Sequence, residues 1–87
     1  MKISLTLGSE LLFSDRFGEP LPTVEKLLDR VRCTNPQRTA GWCDENGQLR
    51  KTLAVFVNGE HIRYRQGLQT ELQDGDEVYV IPLIAGG

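Results

Sequence analysis

Leu53-Ala54-Val55-Phe56-Val57-Asn58-Gly59 and Glu77-Val78-Tyr79-Val80-Ile81-Pro82 decide the architecture of this chain. The first stretch holds five apolar residues, mostly β-branched or aromatic, which suit a pleated sheet. Asn58-Gly59 after it tolerates the positive φ of a tight hairpin turn. This predicts a strand over 53–57, with His61-Ile62-Arg63-Tyr64 as a short returning strand. The second stretch predicts a last strand over 77–81. Asp74-Gly75-Asp76 turns the chain into it, and Pro82, which has no N–H for a ladder, closes it.

Toward the N-terminus, Ile3, Leu5 and Leu7 alternate with Lys2, Ser4 and Thr6, the period of a half-buried strand. Gly8-Ser9 breaks that pattern, and Leu11-Leu12-Phe13 reads as a second, short strand. Residues 14–22, with Gly18, Pro20 and Pro22, read as turn or loop. Thr23 is an N-cap, since its hydroxyl can accept from an unpaired backbone N–H. Val24, Leu27, Leu28 and Val31 then form one apolar helical face, and Asn35-Pro36 stops the helix. Residues 37–51 show no clear period; Trp42 and Leu49 are expected anchors, and Asn46-Gly47 marks a turn. Leu68 and Leu72 flank a loop or short helical turn.

The order strand, strand, helix, strand, short strand, strand packs as one helix across one face of a mixed sheet, an α+β arrangement of four to five strands. Were the first and last strands neighbours at the centre, the fold would be a β-grasp; the order alone leaves that pairing open. The in-phase positions predict a core of Ile3, Leu5, Leu7, Val24, Leu27, Leu28, Val31, Leu53, Val55, Val57, Val78 and Val80. Ala54, Phe56, Tyr79 and Ile81 then point to the sheet face the helix leaves open and should be partly exposed. Surface scatter or cover by residues 37–51 would explain them. We favour a partner-docking patch, because it lies on the strand that leads into the C-terminus.

At 87 residues the chain allows one domain, taken as residues 1–82 with a flexible tail over 83–87. The net charge of −2, with three lysines and seven scattered arginines, does not suit a phosphate backbone, so no nucleic-acid partner is expected. No apolar run reaches a membrane span or a signal peptide, which points to the cytoplasm and to no membrane partner. Cys33 and Cys43 lack metal-ligand spacing, and His61 is the sole histidine, so no metal site is expected. The thiols are expected free in a reducing compartment, a single disulfide being the alternative. Cys43 and His61 could be drawn as a nucleophile and base, but nothing in the sequence brings them together. Asp74 and Asp76 around a glycine read as a turn rather than an acid–base pair.

The remaining feature is Leu83-Ile84-Ala85-Gly86-Gly87. A terminal carboxylate is ionised at neutral pH and can be pushed far into another protein's site. Glycine lacks a Cβ, so the last two residues can thread a narrow channel. Read from the residues alone, a frayed and functionless terminus explains the segment equally well.

From Thr52 onward the chain resembles the MoaD/ThiS family of ubiquitin-like sulfur carriers. The resemblance is carried by Val55-Phe56-Val57-Asn58-Gly59-Glu60, Leu68, Asp74-Gly75-Asp76-Glu77-Val78 and Ile81-Pro82-Leu83-Ile84-Ala85-Gly86-Gly87, in that order. Thr23-Val24 followed by Leu27-Leu28 fits the family's helix start. The long middle, 35–51, is more similar to CysO-like and MoaD-like members than to compact ThiS. The resemblance implies a β-grasp fold and a protein co-substrate rather than an enzyme, with no bound cofactor. A ubiquitin-activating-type adenylating enzyme would use ATP and magnesium to activate the Gly87 carboxylate. A sulfur donor would displace AMP to leave a thiocarboxylate, and a sulfur-accepting synthase would consume it, the carrier being possible as that synthase's small subunit. Gly86 would give access, while Phe56, Tyr79, Ile81, Leu83, Ile84 and Ala85 would bind the partner. A gene continuing past Gly87 would call for a processing metalloprotease. The alternatives are a ubiquitin-related modifier conjugated through Gly87, and a β-grasp binding module with an idle tail.

Overall fold

A computed structural model describes residues 2–16, 18 and 22–82. The chain forms β1 (Lys2–Leu7), β2 (Glu10–Arg16), α1 (Val24–Thr34), β3 (Leu53–Val57), β4 (Glu60–His61) and β5 (Glu77–Pro82). The strands lie in one sheet in the order β2-β1-β5-β3-β4. β1 and β5 pair in parallel, with Leu5 opposite Val78 and Leu7 opposite Val80. The pairing that the order left open is therefore made, and the fold is a ubiquitin-like β-grasp. Parallel neighbours cannot be joined by a hairpin, so the connection between them carries the helix and β3.

The helix begins where its capping chemistry is supplied. Thr23 Oγ1 accepts from the Lys26 N–H at 3.3 Å, and Asn35 closes the other end by donating its N–H to Val31 O. Its buried face, Val24, Leu27, Leu28 and Val31, meets Ile3 and Leu5 of β1, Val55 and Val57 of β3, and Val78 and Val80 of β5 in one core. Ten of the twelve predicted core positions are buried. Leu7 and Leu53 are only partly buried, packed against the core's edge, because each stands at a strand end. Trp42 is buried as expected, and Ile62, Leu72 and Thr70 join it from loops whose sequences carry no period.

Two local expectations are corrected. β2 runs to Arg16 rather than stopping at Phe13, because Ser14, Asp15 and Arg16 continue the ladder opposite Ser4, Ile3 and Lys2. Its register shifts between Leu5 and Thr6, a bulge that lets adjacent Leu12 and Phe13 both pack against the core. The returning strand is only Glu60–His61; residues Ile62–Tyr64 form a 3₁₀ turn instead. The His61 Nδ1 accepts the Arg63 N–H at 3.0 Å and caps this turn, which the Arg65 N–H closes on Ile62 O.

The two turn motifs lock the entry to β5. Asn58 has φ 53° and Gly59 φ 87°, the backbone of a type I′ turn. The Asn58 side chain then donates to Asp76 Oδ1 at 2.9 Å and accepts the Glu77 N–H at 3.0 Å. Asp76 Oδ2 also accepts the Gln73 N–H, and Asp74 Oδ1 accepts the Lys2 N–H. These carboxylates hold backbone donors at the start of β5, as the turn reading of Asp74 and Asp76 expects. Among the described residues no helix is long and apolar enough to cross a membrane.

Candidate functional site: the open sheet face and the C-terminal exit

The helix covers one face of the sheet, and the strand registers align the other. Leu11 of β2 stands opposite Thr6, Thr6 opposite Tyr79, Tyr79 opposite Phe56, and Phe56 opposite His61. One residue from each of the five strands thus forms a continuous row across the open face. Leu11, Tyr79 and Ile81 are exposed at 58%, 37% and 40%, while Phe56 is half-buried. The His61 ring meets Phe56 edge-on at 5.2 Å and Tyr64 at 6.5 Å, which extends the apolar row beyond β4. Arg63 lies 5.7 Å from the Tyr64 ring centroid.

Phe56, Tyr79 and Ile81 therefore lie where their phase predicts. Ala54 does not share their exposure. It is 3% exposed, because a single methyl opposite Ile81 is overtopped by larger neighbours. The sequence reading missed Leu11, His61 and Tyr64. The β2 bulge sets the phase of Leu11, and the alternation of 10–16 does not announce it. His61 was visible as an aromatic two residues past Asn58-Gly59, but its stacking depends on cross-strand register.

β5 ends beside the start of β3, where Pro82 is opposite Leu53. Gly8 donates its N–H to Val80 O on the other side. This end lies opposite the Asn58–Asp76 network. Leu83, Ile84, Ala85, Gly86 and Gly87, named from sequence as partner-binding and reactive residues, lie outside the described residues.

The other candidates do not assemble. Cys43 lines depressions beside α1 on the covered side of the sheet, whereas His61 meets Phe56 edge-on. Both cysteines are free thiols. Among the described residues no cluster of three or more His, Cys, Asp or Glu side chains could hold a metal ion.

The ThiS family model matches residues 18–87. A candidate sulfur carrier of Archaeoglobus fulgidus is 48% identical over 42 residues, 48% of each chain. The sulfur carrier protein CysO of Mycobacterium tuberculosis is 42% identical over 41 residues, 47% of this chain and 44% of CysO. Small archaeal modifier protein 3 of Haloferax volcanii is 40% identical over 48 residues, 55% of this chain and 52% of the relative. The chain thus spans about half the length of the curated relatives it matches. The crystal structure of SAMP1 from Haloferax volcanii superposes over the whole of both chains with a TM-score of 0.82 at 22% identity, a likeness of fold. With the family model covering most of its length, the chain belongs to the ThiS family.

Proposed function

We propose that this protein is a sulfur carrier whose reactive group is the carboxylate of Gly87. An adenylating partner of the ubiquitin-activating type joins that carboxylate to AMP at the expense of ATP, with magnesium, and releases pyrophosphate. A sulfur donor then attacks the acyl carbon, AMP leaves, and a thiocarboxylate remains. Sulfur is the softer nucleophile, and its attachment to a protein keeps sulfide out of solution. The observation that carries this reading is the family match, which spans residues 18–87 and so reaches Ala85-Gly86-Gly87. The candidate carriers among the relatives support it.

On this reading the chain acts as a protein co-substrate in the cytoplasm, where a sulfur-accepting synthase consumes the thiocarboxylate. Phe56, Tyr79 and Ile81 dock the partner, while Leu83, Ile84 and Ala85 enter its site. Five extended residues reach roughly 17 Å, enough to bring the carboxylate to an enclosed nucleotide while the domain stays outside. A service as small subunit of the synthase and trimming by a metalloprotease are compatible with the same chemistry.

Kinship to a small archaeal modifier protein favours a second use of the same carboxylate, acylation of a lysine amine on a target. The two uses share the adenylate and part after it. The test is to incubate the protein with its cognate activating enzyme, ATP, magnesium and a sulfur donor, and then to weigh it. A mass gain equal to exchanging one oxygen for one sulfur supports the carrier. Adenylation followed only by amide-linked adducts supports the modifier. Neither product with the correct partner leaves the idle binding module.

A further inference from the structure

The stretch 42–52 has a structural role that the carrier reading does not use. Trp42 is 3% exposed, and its carbonyl accepts the Arg50 N–H at 2.9 Å. The Arg50 carbonyl in turn accepts the Leu53 N–H at 3.1 Å, and Leu53 faces Pro82. A buried anchor therefore fixes Arg50-Lys51 two to three residues from Leu53, the strand position opposite Pro82 at the end of β5. Both side chains are exposed. Neither takes part in a side-chain hydrogen bond or ion pair among the described residues, whereas Arg38 is paired with Glu10 and Arg65 with Glu60. At the far end of the sheet the exposed charges are mixed, Asp74 and Glu77 at the start of β5 beside Lys2 of β1 and Arg16 of β2. Arg50 and Lys51 are thus exposed cations, without a side-chain partner among the described residues, beside the end of β5.

We propose that Arg50 and Lys51 are recognition residues for a carboxylate-lined rim around the site that receives Gly87 in the activating partner. This rests on the carrier reading. Such an arrangement orients the encounter, because the end of β5 that carries Arg50 and Lys51 is attracted to the rim. The nucleotide phosphates are not the target. With the tail extended roughly 17 Å into the partner, they lie beyond what side chains rooted at the exit can touch.

The experiment compares the full-length protein with its Arg50→Glu/Lys51→Glu variant in ATP–pyrophosphate exchange by the activating enzyme, over a range of ionic strength. Exposed rim charges act on association, so the variant should lose about tenfold or more in kcat/KM at low salt through KM for the carrier. Its kcat and KM for ATP should not change, and the salt dependence of the wild-type rate should flatten. Arg50→Lys/Lys51→Arg should behave as the wild type, and an unaltered melting temperature excludes unfolding as the cause. Equal kcat/KM and salt slopes for variant and wild type overturn the proposal and leave the carrier reading standing. A changed KM for ATP overturns it in favour of phosphate contact. A wild-type protein that its cognate enzyme does not activate overturns both.

Discussion

Leu27 and Leu28 are neighbours on the same helical face, yet the structure gives them different surroundings. Leu27 is 0% exposed at the centre of the core. Leu28 is 4% exposed and lines a small depression with Leu49 and Leu68, both only partly buried. Truncation to alanine removes the same transfer free energy at both sites. The cavity contribution differs, because it depends on how far the surroundings can close. Leu49 and Leu68 stand outside the helix and the sheet and can settle into the space left by Leu28, whereas strands and helix frame Leu27. Leu27→Ala should therefore cost about 3–5 kcal/mol and Leu28→Ala about 2–3 kcal/mol. For a domain of this size a loss of about 4 kcal/mol lowers Tm by roughly 15–30 °C. Urea unfolding followed by the fluorescence of Trp42, the sole tryptophan and itself buried, measures both. A loss below about 1 kcal/mol at Leu27, or a larger loss at Leu28 than at Leu27, would refute the packing described.

Asn58→Ala should destabilise the domain by about 1–3 kcal/mol, since it removes two side-chain hydrogen bonds and leaves a φ of 53° that alanine adopts poorly. Asn58→Gly should recover part of that loss, and equal values in thermal melts would show that the backbone contributes nothing. Phe56→Asp should slow charging by the activating enzyme with little change in stability, because Phe56 is half-buried on the open face. Charging at the wild-type rate would remove the docking role of that face. Deleting Gly87 should abolish activation while leaving Tm within 1–2 °C of the wild type, as expected for a change beyond the last strand; a large drop in Tm would place that residue in the fold.

The elements that the sequence made legible are those in which local chemistry and tertiary packing agree. Thr23 caps, Val24-Leu27-Leu28-Val31 faces the core, and Asn58-Gly59 turns, each as its residue type demands. Where long-range register decides, the pattern was silent. Ser14-Asp15-Arg16 extend β2 only because β1 offers a partner edge, and the bulge opposite Leu5 and Thr6 fixes which side Leu11 faces. His61-Ile62-Arg63-Tyr64 alternates like a strand, but it forms a 3₁₀ turn capped by an imidazole–amide hydrogen bond. Part of the open-face row was readable, since Phe56, Tyr79 and Ile81 share a phase. Its extension to Leu11 and His61 required the sheet order. The motifs that carry the family likeness divide in the same way: Asn58, Asp74 and Asp76 form hydrogen bonds at the entry to β5, while Leu83-Ile84-Ala85-Gly86-Gly87 lie outside the described residues.

On the proposed reading, the carboxylate of Gly87 carries the sulfur. The most direct test is to isolate the protein from the cells that make it, trap thiocarboxylates with an alkylating agent, and fragment the intact chain by mass spectrometry. The account predicts a sulfur-for-oxygen exchange confined to the fragment that ends at Gly87, with Cys33 and Cys43 alkylated as ordinary thiols. Sulfur found only on the cysteines, or a Gly87 carboxylate unmodified under conditions in which the activating enzyme is present and supplied with ATP and sulfur donor, would contradict it.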